Sequence, residues 1–155
     1  MKKILLIGTH LATLAIGFAV GVYALPILIA PASPEASSIT AQASSARYKG
    51  EFRRNLKGSD ALHWGEGLVS VGPTSIGLDG KLAPGPDYKL YLSPEFVETE
   101  ADFKRHRFTM VRVGDVKTFE TFLVPVPAGV DVSQYNTVIV WCETFSQFIT
   151  AARYR

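Results

Sequence analysis

Apolar and polar positions divide the chain into three stretches with different rhythms. From Ile4 to Ala30 the only ionisable side chains are His10 and Tyr23. This exceeds the roughly 20 residues a helix needs to cross hydrocarbon and the 7–15 or so of a cleaved signal's apolar core. Lys2 and Lys3 precede it, so residues 1–30 read as a signal anchor with its N-terminus in the cytoplasm and the rest of the chain outside. Cleavage is the alternative, since Ala30-Pro31-Ala32 and Ala41-Gln42-Ala43 are small-x-small sites, and it would release the remainder as a secreted protein. Residues 31–46 are mostly Pro, Ser, Ala and Thr. They offer too little apolar surface to offset the entropy of ordering, which predicts a disordered linker.

From residue 47 to 155 short apolar runs alternate with glycine and proline, and no sustained 3.6-residue period predicts a substantial helix. The pattern predicts an all-β domain, a β-sandwich of about eight or nine short strands. The expected strands are 48–53, 62–71, 74–78, 88–92, 107–113, 118–126, 137–142 and 146–153. Gly65 and Gly67 mark a bulge or close backbone approach in the second. Asp79-Gly80 and Gly114-Asp115 read as tight turns, and Ser93 to Lys104 as a polar loop with one helical turn. The clearest strand is Thr137-Val138-Ile139-Val140-Trp141-Cys142, apolar on both alternating faces and therefore expected to be buried on both.

Composition narrows the chemistry. There are 16 Lys and Arg against 14 Asp and Glu, for a net charge of +2, and no basic block interleaves with aromatics, so no nucleic-acid partner is expected. A single cysteine, Cys142, excludes an intramolecular disulfide, an internal dithiol exchange and any multi-cysteine metal site. Covalent haem lacks its Cys-x-x-Cys-His motif. Blue copper needs two histidines beside the cysteine; here His63, His106 and Met110 would have to come from distant strands. A non-covalent haem could be held by His63 and Met110, or by Cys142 itself. Glu143, if close, would raise the Cys142 pKa. Trp64 and Trp141 read as core anchors, and Asp87 as closing its own turn. No hydrolase or phosphate-binding motif is present.

One set of residues carries a family resemblance. Gly50-x-Phe52, His63 with Gly67 and Val69, Gly85-Pro86-Asp87-Tyr88-x-Leu90-Tyr91-Leu92-Ser93, Val113-Gly114-x-Val116, and Tyr135-x-x-Val138-Ile139-Val140-Trp141-Cys142 followed by Phe145, Phe148 and Ala151-Ala152 occur in order across residues 49–153. This resembles the electron-transfer DM-thirteen domain. The Gly85-Pro86-Asp87 turn and the Trp141-Cys142 ending are its most specific pieces. The resemblance implies a β-sandwich-like domain with a redox role at the cysteine that corresponds to Cys142, working with a redox protein partner. Two departures are the missing glycine in Phe119–Phe122 and the long Ser93–Lys104 loop. The competing reading keeps Cys142 as an inert core residue of an extracytoplasmic binding or adhesion module.

Overall fold

The strand Thr137–Cys142 (β7) is buried along its whole length because both of its faces are covered. In the computed structural model, which describes residues 1–155, two four-stranded antiparallel sheets pack face to face. Sheet A has the order β1 (Tyr48–Phe52), β2 (Gly65–Val71), β3 (Ser75–Leu82), β6 (Phe122–Pro125). Sheet B has β5 (Val111–Val116), β4 (Tyr88–Ser93), β7, β8 (Gln147–Arg153). Even positions of β7, namely Val138, Val140 and Cys142, enter the main core between the sheets with Leu78, Leu90 and Phe122. Odd positions Ile139 and Trp141 enter a second core on the outer face of sheet B, with Tyr91, Phe103 and Phe148. That second core is roofed by α3 (Glu100–His106). Its start is fixed by Thr99, whose hydroxyl accepts from the Asp102 N–H, and its last turn is basic, as the helix dipole favours.

The architecture is sandwich-like with eight strands, as the rhythm of the sequence implies, but the helices keep the whole chain from being purely all-β. Several boundaries also differ from expectation. Asp79-Gly80 lies inside β3, where Gly80 sits opposite Gly67 of β2. A Cβ on Gly80 would strike the Glu66 carbonyl, and Gly67 has φ +123°. These glycines serve close backbone approach rather than a turn. Gly114-Asp115 likewise lies within β5, whose Gly114 packs against the Val124 side chain of β6. Arg107–Thr109 is a 3-10 turn continuing α3, so β5 starts only at Val111. The β2 strand begins at Gly65, after an Asp60 carboxylate has gathered the Leu62 and His63 backbone N–H groups. Trp64 is half-buried with the Arg54 guanidinium 3.3 Å above its ring, so it is no core anchor.

The first helix, α1 (Lys2–Ile29), runs through Pro26 and is long and apolar enough to cross a membrane. Residues 31–46 depart from the unstructured expectation: Ala36–Ser45 is a helix, α2, with Ile39 and Gln42 buried. No glycine or proline interrupts those ten residues, and positions three apart share one helix face. Gln42 Nε2 donates to the Ser75 carbonyl at 2.7 Å and to that of Ser70 at 3.4 Å, and the Ser75 hydroxyl donates back to Oε1. The open space at Gly72 and Gly77 admits the Gln42 side chain. A single buried amide thus pins α2 to sheet A. Gln42→Ala is expected to remove about 1–3 kcal/mol of docking, seen as faster amide hydrogen exchange across residues 36–45 with β7 unchanged. Unaltered exchange in α2 would refute the pin.

Candidate functional site

The two most specific segments of the sequence meet at one end of the sandwich. β4 and β7 pair antiparallel so that Tyr88 lies opposite Cys142, which brings Gly85-Pro86-Asp87 against the turn that follows β7. The Asp87 carbonyl accepts the Glu143 N–H at 3.0 Å, and the Asp87 carboxylate accepts the Thr144 hydroxyl at 3.0 Å. Asp87 therefore ties two turns together and does not close its own. Its carboxylate is held below the usual range mainly by Lys89, 2.6 Å away, which also reaches Asp115 at 3.1 Å. Gly85 is required there because a Cβ would overlap the Tyr88 ring.

Cys142 is a free thiol, 2 % exposed. Burial pushes its pKa up, and the backbone N–H groups of Phe145, Asp87 and Thr144 beside the sulfur only partly offset this, while the Asp87 charge adds to the rise. Glu143 is not among the causes. As an odd position it leaves by the outer face, where it accepts from the Tyr91 hydroxyl and from Arg107 Nη2 at 3.0 Å. Burial works against that carboxylate, but Tyr91 and Arg107 hold it below its usual range. The Tyr91 hydroxyl is in turn pushed up to about 12, by burial first and then by Glu143. At neutral pH the end of β7 thus carries a neutral thiol inward and a charged carboxylate outward.

Cys142 nevertheless forms part of the wall of a mostly apolar cleft of about 340 Å³, with His63, Pro86, Tyr88 and Phe145. Of the ligands considered with Cys142, the fold brings His63 to the same cleft. His63 Nδ1 is 2.8 Å from Asp60 Oδ2, leaving Nε2 as the ring nitrogen free to ligate. The other suggested ligands lie elsewhere. Met110 packs on the second core, across sheet B from Cys142, and His106 ends α3 on that same outer side. No three His, Cys, Asp or Glu side chains gather as a metal set. The arrangement fits neither the two-histidine, one-cysteine set of blue copper nor a haem held between His63 and Met110.

Trp141 is set apart from the thiol by one residue and one sheet face. Its ring stacks on Phe103 with centroids 3.8 Å apart and planes 8° from parallel, and its Nε1 has no hydrogen-bond partner. It is a structural residue of the site, invisible from the cleft. Phe145, by contrast, was placed in the sequence motif without a role, and it forms half-exposed wall beside Cys142.

A family model described as Electron transfer DM13 matches residues 55–154, which span β2 to β8 and both signature segments. No curated protein and no solved structure matches the chain.

Proposed function

The chain belongs to the electron transfer DM13 family, and from that premise we propose that it is a membrane-anchored, extracytoplasmic electron-transfer component whose reactive group is the Cys142 thiol. The observation that carries this reading is the convergence of Gly85 and Pro86 with Cys142 around one cleft, with Asp87 tying their turn to the one that follows β7. The α1 helix supplies the anchor, and Lys2 and Lys3 keep its start in the cytoplasm. With no second thiol in the chain, the partner is a protein bearing a disulfide. In the exchange the Cys142 sulfur bonds one sulfur of the partner's disulfide, and its proton passes to the other partner sulfur, which leaves as a thiol.

A second reading has a specific observation in its favour. Cys142 is 2 % exposed and packs within the main core, as an inert small hydrophobe does. On that reading the domain is a binding module and the thiol never reacts.

Alkylation of the intact, folded chain by a small uncharged maleimide separates the two. Cys142 is expected to react in the folded state. Because burial raises its pKa, its rate should keep climbing with pH beyond about 8.5, where a free thiol levels off. Modification that appears only on unfolding would overturn the redox reading and leave the core reading standing.

A further inference from the structure

The outer end of α1 and the cleft end of the sandwich are in contact. Pro26, Ile29 and Pro31 share a cleft with Pro86 and Lys117, and Ile27 and Pro31 share another with Lys81 and Pro84. Deeper along the helix, Phe18 and Val22 wall the cleft that holds Leu62 and Cys142. The same two residues wall a further one with Phe145. Leu62 is 60 % and Phe145 50 % exposed, so both carry apolar surface that neither the sandwich nor α1 covers.

On the reading of α1 as a membrane anchor, we propose that this end of the sandwich is inserted in the outer leaflet of the bilayer that α1 crosses, with Leu62 and Phe145 in lipid and Lys81 and Lys117 at the phosphates. Depth follows from helix geometry. Counting from Ile4 at 1.5 Å per residue, about 30 Å of hydrocarbon ends about 20 residues on, near Tyr23. An aromatic at that level suits the interface. Phe18 then lies about 8 Å below the boundary, within the 5–10 Å that interfacial elements reach. Side chains that share a cleft with Phe18 and Val22 are at lipid depth.

Tether length and charge agree. α1 ends at Ile29 and α2 begins at Ala36, so six residues, 30–35, join them, a reach of about 20 Å. Gln42 pins α2 to sheet A, so this short tether keeps the sandwich close to the surface. Lys81 and Lys117 are exposed and neither forms a salt bridge. The carboxylates that face them are Glu66, opposite Lys81 across the β2–β3 ladder, Glu120 beside it, and Asp87 and Asp115 in the cleft that Lys117 lines. The remaining large exposed apolar side chains outside α1 are Leu68, Phe108 and Leu123, and none of them lines these clefts. The cleft beside Cys142 consequently opens to lipid, and the species that reaches the thiol end comes through or along the membrane.

The test is site-directed spin labelling of the full chain in vesicles of phosphatidylcholine and phosphatidylglycerol. Single cysteines replace Leu62, Phe145, Leu14 within α1, and Ala128 in the turn beyond β6, each in a Cys142→Ala background. Relaxation by oxygen relative to that by a water-soluble nickel chelate reports lipid against water. Leu62→Cys and Phe145→Cys are expected to match Leu14→Cys, with a ratio several-fold above that at Ala128→Cys. Labels at 62 and 145 that match Ala128→Cys while Leu14→Cys stays in lipid would overturn the insertion and leave the anchor intact. A Leu14→Cys label in water would refute the anchor itself, and the insertion with it.

Discussion

Trp141→Ala is expected to destabilise the domain by about 3–5 kcal/mol, the range for deleting a fully buried large aromatic. Trp141 is 1 % exposed and Phe103 fully buried, and their rings stack, so the deletion opens a void beneath α3 that Ile139 and Phe148 cannot fill without moving β7 or β8. Chemical denaturation of the intact protein in detergent would read it as a lower midpoint. Trp141→Phe is expected to lose less than half as much, since it keeps a stacked ring and removes an Nε1 donor that has no partner. A Trp141→Ala cost below about 1 kcal/mol would mean that the second core contributes little. In a double-mutant cycle with Phe103→Ala, the two changes should be far from additive, because each removes the other's stacking face.

Gly67→Ala is expected to cost about 2–5 kcal/mol from two sources that act together. The backbone there has φ +123°, and a Cβ would run into the Asp79 carbonyl and Gly80 Cα of the neighbouring strand. Gly80→Ala meets the reciprocal obstacle at Glu66 and should behave alike, whereas Gly72→Ala, whose nearest atom is the end of the Gln42 side chain at 3.1 Å, should cost far less. Thermal unfolding of the three variants gives the comparison. Equal losses at all three positions would refute the argument that Gly67 and Gly80 are pinched together.

These particulars show what was legible in the chain. β7 was clear because five consecutive β-branched or aromatic residues ending on a cysteine suit a strand covered on both sides, and α3 supplies the second cover. The dipeptides Asp79-Gly80 and Gly114-Asp115 misled because glycine permits a turn and a close strand approach for the same reason, the absent Cβ. Only the pairing partner distinguishes the two. α2 was missed because an Ala, Ser and Thr stretch lacks the apolar period that marks a packed helix. Its docking rests on Ile39 and the amide of Gln42, a single polar side chain among small ones. At the site, the sequence identified the residues that converge, Gly85-Pro86-Asp87 and Cys142. It could not know that the alternation of β7 sends Glu143 and Trp141 to one side and the thiol to the other. Sheet B itself stands between His63, in the cleft beside Cys142, and Met110 on the second core, which no spacing along the chain reveals.

The close approach of β1 to β8 has a consequence for what can bind. At Gly50 a Cβ would lie 2.7 Å from the Arg153 carbonyl, and Gly114 of β5 meets Val124 of β6 in the same way at 2.8 Å. Each outermost strand of one sheet is therefore faced by an outermost strand of the other, and glycine allows the approach at both seams. The two seams close the sides of the core without joining the sheets, since β1 forms no ladder with β8 and β5 none with β6, so the outer N–H and C=O groups of these four strands are where a visiting strand could add. The loops at the two ends of the sandwich differ in chemistry as well, and only one of those ends carries the thiol.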